Sequence, residues 1–100
     1  MSFPDYRLFV SPQAQHDIAG ILRYTGKTWG QDQLRIYRDK LDEALKLLGH
    51  SPNLGHASPE LPEAHRLYFV GSHVVVYRAQ GDRVSVVRVL HQRMSLLQHL

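Results

Sequence analysis

"HRLYFVGSHVVVYRAQGDRVSVVRVL", residues 65–90, decides the fold. Three runs rich in valine, tyrosine and phenylalanine, His65–Val70, His73–Ala79 and Arg83–Leu90, read as β-strands. The breaks between them, Gly71–Ser72 and Gln80–Gly81–Asp82, are too short for anything but tight turns, and glycine supplies the positive φ such turns need. The three strands therefore form an antiparallel meander. A period of two sorts their side chains: Leu67 and Phe69 against Arg66, Tyr68 and Val70, then Val87 and Val89 against Val86, Arg88 and Leu90. Burying an unpaired charge is costly. On that ground Arg66, Tyr68 and Arg88 are expected on an open face, with Leu67, Phe69, Val87 and Val89 in the core. Both sets of the last strand are apolar, and a bulge there would exchange them.

Upstream, "YRLFV" from Tyr6 to Val10 reads as a short first strand. Ser11 then offers an N-cap and Pro12 a first helical position. Ala14, Ile18, Ile21, Leu22 and Thr25 share one face of a helix expected to fade near "TGKTWG". A second helix spans about Gln31–Leu48, with Leu34, Tyr37, Leu41, Ala44 or Leu45, and Leu48 three or four apart; Gly49 and Pro52 are expected to end it. The short joint makes the pair an antiparallel hairpin. Three prolines and two glycines in residues 49–65 make a long loop. Past the last strand, Met94, Leu96, Leu97 and Leu100 have helical spacing. The expected fold is α+β in two layers: an N-terminal strand, a helical hairpin, a three-stranded antiparallel meander and a short C-terminal helix, with the sheet covered on one face. One hundred residues make this a single domain, 1–100.

The chain has no cysteine, which excludes disulfides and thiol catalysis and suits a reducing cytosol, so a cytoplasmic location is expected. No signal peptide or membrane span is expected from its apolar runs. Net charge is +3, unevenly spread. Residues 66–100 hold five arginines against Asp82 alone, whereas residues 31–65 hold four basic and six acidic groups. Arginine suits bidentate recognition of carboxylate or phosphate. An acidic protein segment or a nucleic acid is the partner class this distribution favours, beside a merely solvated basic face.

Seven histidines fall into no ligand spacing, so no metal or cofactor is expected. His91 with Arg66, Arg88 and Arg93 is the sharper group. A general base beside arginines could cleave RNA by attack of a 2′-hydroxyl. The favoured reading is that His91 caps the strand–helix junction with its ring nitrogens hydrogen-bonded, since no carboxylate in its segment would orient the ring. The apolar tail from Met94 either folds back or meets a partner.

Several segments in order carry a resemblance. "YRLFVSPQAQHDIAGILRYTGKTWG" with Tyr24, Thr25, Trp29 and Gly30, "YRDKLDEALKLLGHSPNLG" with Pro52 and Gly55, "HRLYFVGSHVVVYRA" and "VVRVLHQRMSLLQHL" together resemble the ParE toxins of the RelE/ParE superfamily of type II toxin–antitoxin modules. The resemblance implies a non-enzymatic toxin that inhibits DNA gyrase through protein contact. It implies a ParD-like antitoxin in a hetero-oligomer, expected to be a heterotetramer, with no direct DNA binding by this chain and no membrane partner. On it, antitoxin contacts are expected at Leu22, Tyr24, Tyr37, Arg66, Tyr68, Arg78 and Arg88, and gyrase contacts at His91, Arg93, Met94 and Leu97. The RelE-type alternative is a ribosome-dependent messenger RNA nuclease using His91 with Arg66, Arg88 and Arg93. A third is a non-toxic, antitoxin-binding module.

Overall fold

The computed structural model describes residues 7–94. Strand β1 (Arg7–Val10) leads into helix α1 (Pro12–Trp29) and helix α2 (Gln31–His50); a 3₁₀ turn (Pro52–Leu54) and an irregular loop precede β2 (His65–Val70), β3 (His73–Gln80) and β4 (Arg83–His91). The sheet order is β1-β4-β3-β2, with β2, β3 and β4 antiparallel and β1 parallel to β4. Gly71 and Gly81 take positive φ in the two hairpin turns. The α+β architecture, the helical hairpin and the meander are as expected. The C-terminal helix, Leu97 included, and the strand start at Tyr6 lie outside the described residues.

Ser11 ties helix to sheet. Its hydroxyl accepts from the Ala14 N–H and donates to the Val87 carbonyl, while its own N–H donates to the Val86 carbonyl. One residue thereby caps a helix and fixes where that helix crosses β4. Contrary to the expected fading, α1 continues to Trp29. Gly26 lies inside it, and the missing side chain lets Leu34 of α2 come close, so packing offsets the poor helix propensity of glycine.

The core lies between hairpin and sheet: Ala14, Leu41, Ala44 and Leu48 against Val70, Val75, Tyr77, Val84, Val86 and Val89. Each large aliphatic side chain so buried contributes about 1.5–3 kcal/mol. Tyr77 is wholly buried yet satisfied, donating to the Pro52 carbonyl at 2.6 Å and accepting from the Gly55 N–H at 2.9 Å. A Cβ at Gly55 would stand 2.6 Å from both the Leu67 carbonyl and the Tyr77 hydroxyl. The Pro52-to-Gly55 segment is therefore fitted to the sheet it covers.

Two orientation expectations are corrected. Partners across antiparallel strands share a face. Arg66 pairs with Tyr77 and Tyr68 with Val75, so both point to the hairpin side; Leu67 pairs with Val76 and Phe69 with Val74, on the other side. Arg66 is only partly buried on that side and its guanidinium donates to the Gly55 carbonyl at 2.7 Å, and Phe69 stays exposed because β2 is an edge strand. In β4 a bulge shifts the register: Tyr77 faces Val86, Val76 faces Arg88, and Val87 is the extra residue. Val84, Val86 and Val89 thus all reach the main core, and of the four residues expected there only Val89 does. The second face is also not open at its centre: Val74, Val76 and Leu90 are buried there, with Leu67 packed against them.

Arg88 departs most. By register it stands opposite Val76 on the second face, but its side chain turns around the edge to Asp17 of α1. The cause is the shortness of β1. It pairs with β4 only as far as Val86, so the next stretch of the β4 edge is left for α1 to cover.

Candidate partner-binding site

A cleft of about 500 Å³ opens where the hairpin tip meets the end of the sheet, lined by Tyr24, Thr25, Trp29, Gln33, Tyr37, Ser72, His73 and His91. It brings together three residues expected at functional surfaces, Tyr24, Tyr37 and His91. Hydrogen bonds at its floor define ring tautomers. The Tyr37 hydroxyl donates to the Val70 carbonyl at 3.1 Å and also meets His73 Nδ1. Because that hydroxyl has one proton, His73 Nδ1 supplies the hydrogen between them, leaving Nε2 as the acceptor. The rings of Tyr37 and His73, and of His73 and His91, are each 5.4 Å apart between centroids. His91 Nδ1 accepts the Arg93 N–H at 3.1 Å, so neutral His91 carries its proton on Nε2.

Burial pushes the His73 pKa below its ordinary value, and the neighbouring His91 adds to the shift. Burial raises Tyr37, opposed by a hydrogen bond from the Ser72 backbone. His73 and Tyr37 are therefore neutral at pH 7, while the rim is aromatic: Trp29 is 69% exposed and Tyr24 66%. Trp29 and His73 belong to the cleft without having been singled out as contacts from the sequence. Both stand in the quoted motifs, Trp29 in "TWG" and His73 in "GSH", and those motifs are the signal that could have found them.

A second concavity, about 540 Å³, runs between α2 and β2 and includes Ile36, Lys40, Leu47, Tyr68 and Phe69. Ile36, Leu47 and Phe69 are each about half exposed, an apolar strip along a strand edge. That edge is half used. Leu67 exchanges two backbone hydrogen bonds with His56. Phe69, in the same outward phase of the strand, has no backbone partner among the described residues.

The remaining expected site residues are scattered. Leu22 packs against the main core. Arg66 is tied to the loop carbonyl of Gly55, and Arg88 to Asp17 with 18% of its side chain exposed. Arg78 is exposed on the second face and donates to Gln80. Arg93 and Met94 are exposed just past His91. Burial pushes the Asp17 carboxyl up, but hydrogen bonds from Arg88 and the Val89 N–H, with the Arg88 charge, outweigh it and hold the pKa below its ordinary value. The same hydrogen bond raises Arg88. Chemically, three of the four groups the nuclease alternative would use are committed elsewhere: Arg66 and Arg88 hold the fold, and the unprotonated nitrogen of neutral His91 is occupied by the backbone, while the Arg93 side chain stands exposed.

A family model described as "ParE toxin of type II toxin-antitoxin system, parDE" matches residues 5–96. The chain is 37% identical over 95 residues to a Toxin ParE1 of Caulobacter vibrioides, covering 95% of this chain and 96% of the relative. Against a Toxin ParE1 of Mycobacterium tuberculosis it is likewise 37% identical over 95 residues, covering 94% and 97%. A Toxin ParE of Escherichia coli is 33% identical over 92 residues, covering 91% and 89%. Among solved structures, a chain of the "Chromosomal ParDE TA system from P. aeruginosa" superposes with a TM-score of 0.74 at 17% identity, covering 87% of this chain and 96% of that one, a likeness of fold.

Proposed function

The chain belongs to the ParE toxin family of type II toxin–antitoxin systems, and from that premise we propose that it inhibits DNA gyrase by direct contact and is neutralised by a ParD-like antitoxin. The observation that carries this reading is the commitment of the would-be nuclease groups. A general base needs an available lone pair within reach of its proton. Neutral His91 spends its free lone pair on the Arg93 N–H, and Arg66 and Arg88 are bonded to Gly55 and Asp17. What the molecule offers instead is exposed aromatic and aliphatic surface beside two concavities, which is suited to protein contact. The chain acts without catalysis, and with gyrase as its target it acts in the cytoplasm.

The antitoxin occupies the groove between α2 and β2. Its apolar side chains lie on Ile36, Leu47, Tyr68 and Phe69, and its backbone meets the unused edge at Phe69. Two toxins and two antitoxins form the neutral complex. Gyrase is met at the hairpin-tip cleft, through Trp29 and Tyr24 with His91, Arg93, Met94 and the tail including Leu97.

The test is purified chain with gyrase and plasmid DNA. Supercoiling should be inhibited and cleaved DNA should accumulate, both reversed by the antitoxin, and deleting residues 94–100 should weaken the effect. Full gyrase activity with rapid loss of messenger RNA in cells would replace this reading with the nuclease. No growth effect with tight antitoxin binding would replace it with an inert module.

A further inference from the structure

On the side of the sheet away from the hairpin, Phe9, Ser85 and Arg78 form one cross-strand row through β1, β4 and β3. Serine at the centre of this row is the smallest of the three, and the surface dips over it. The resulting notch, about 390 Å³, is closed by Arg83, Pro12 and the bulge residue Val87. Phe9 is 45% exposed, and the Arg83 guanidinium lies 4.6 Å above its ring. Arg78 donates to the neutral amide of Gln80. Neither arginine has a carboxylate partner among the described residues: Asp82, in the turn between β3 and β4, makes no ion pair, and Asp17 is taken by Arg88. The described residues thus hold two guanidiniums either side of an apolar hollow and supply no anion for them.

We propose that this notch seats an acidic segment of the antitoxin, with one aliphatic side chain lodged over Ser85 and flanking carboxylates on Arg78 and Arg83. The proposal rests on the toxin–antitoxin reading. It adds a second anchor on the opposite edge of the sheet from the groove at β2, so one antitoxin chain grips both ends of the strand order. Charge complementarity selects the occupant. A preordered arginine stacked on an aromatic ring keeps its fork free for a carboxylate and loses little freedom on binding. Nucleic acid suits the notch poorly. Stacking platforms need an open ring face, and Arg83 covers that of Phe9. Backbone binding usually draws on roughly 6–10 phosphate contacts, far more than this pair offers.

The experiment measures the affinity of the full chain for its full-length ParD-like antitoxin, at low and moderate salt. Arg78→Glu with Arg83→Glu should weaken binding by about 100-fold at low salt, and Arg83→Lys, which keeps charge but loses the fork, by about 5-fold. Ser85→Leu fills the hollow without changing charge and should weaken binding by about 10-fold. A thermal melt accompanies each variant, so that a misfolded protein is not scored and the remaining variants decide. Leu47→Asp, in the groove at β2, is the control for the wider reading. If Leu47→Asp abolishes binding while the notch variants stay within twofold of the parent, the notch proposal fails alone. If the parent chain does not bind the antitoxin, both fail together. If the arginine variants lose affinity for a 20-mer oligonucleotide and keep it for the antitoxin, the site is a nucleic-acid site and the proposal is overturned.

Discussion

Asp17 and Arg88 stand 71 positions apart in the sequence and meet at 2.8 Å, with a second hydrogen bond at 3.0 Å. The same carboxylate accepts the Val89 N–H. One aspartate on α1 therefore does what a longer β1 would have done, satisfying the edge of β4 beyond Val86. It also neutralises the arginine that the sheet places there. The pair joins the helical layer to the sheet and fixes β4 just before His91, so it positions the floor of the hairpin-tip cleft without entering it.

Asp17→Asn or Arg88→Ala should destabilise the fold. Removing one partner of a buried ion pair costs roughly 3–5 kcal/mol. The side chains retain 10% and 18% exposure, so about 2–3 kcal/mol is expected here. The sign with pH follows from the lowered Asp17 pKa. The folded state binds its proton later than the unfolded chain, so the stabilisation is complete above the ordinary value of 3.8 and is lost as pH falls through the lower folded value. Denaturant melts between pH 2 and 6 check this, and Asp17→Asn should remove that component of the pH dependence.

Tyr77→Phe should be costlier than the loss of one hydroxyl suggests. The ring can remain, but the Gly55 N–H and the Pro52 carbonyl lose their partner inside the structure. An unsatisfied buried polar group costs about 1–3 kcal/mol. A loss near 2–3 kcal/mol is expected, read as a lower unfolding midpoint. Increased hydrogen exchange in residues 52–56 would locate the loss in the loop, and an unchanged melt would show that the loop does not depend on Tyr77.

The strands, both helices and both hairpin turns are legible in the sequence because each is a local pattern. Glycine at 71 and 81, valine runs between them and Ser11–Pro12 ahead of a 3.6-residue period are short-range signals. The facing of Arg66 and Arg88 is not local. Charge argues that an arginine avoids the covered side unless it has a partner, and here the partners are a loop carbonyl 11 positions away and a carboxylate 71 away. Nothing near either arginine in the sequence announces them. The bulge at Val87 is half legible: an all-apolar strand allows it, and only the register with β3 fixes its position. The cleft needed the tertiary fold as well, since Trp29, Tyr37, His73 and His91 come from four separate stretches of chain.

His73 makes stability depend on pH near neutrality. Its folded pKa lies below the ordinary value of 6.5, because burial and His91 disfavour the cation. Tyr37 of α2, bonded to Nδ1, and His91 of β4 are the titratable groups against its ring, and Lys40 lies over the other aromatic partner at 5.9 Å from the Tyr37 centroid. The unfolded chain binds the proton first, so stability should be flat above about pH 6.5 and fall as pH drops through the folded pKa. Melts from pH 8 to 5 test the slope, and His73→Gln should flatten it. A slope of the opposite sign would mean that His73 gains rather than loses basicity in the fold.

Trp29→Ala and His91→Ala together separate docking from catalysis. Trp29 is 69% exposed, so its removal should change stability by no more than about 0.5 kcal/mol. As a central aromatic anchor for gyrase it should nevertheless carry about 2 kcal/mol of contact, near a 30-fold loss of inhibitory potency. His91→Ala removes the acceptor for the Arg93 N–H and one wall of the same cleft, so a smaller loss is expected from loosened positioning of the residues after β4. Neither change should alter messenger RNA levels. The discriminating pattern is the order of the two effects. A contact surface ranks Trp29 above His91, because buried aromatic area dominates protein interfaces, whereas a nuclease ranks His91 far above Trp29, because loss of a general base removes the proton transfer itself. Supercoiling assays and transcript mapping on the same two variants give both rankings. Transcript cleavage that disappears with His91→Ala and survives Trp29→Ala would assign the cleft to RNA.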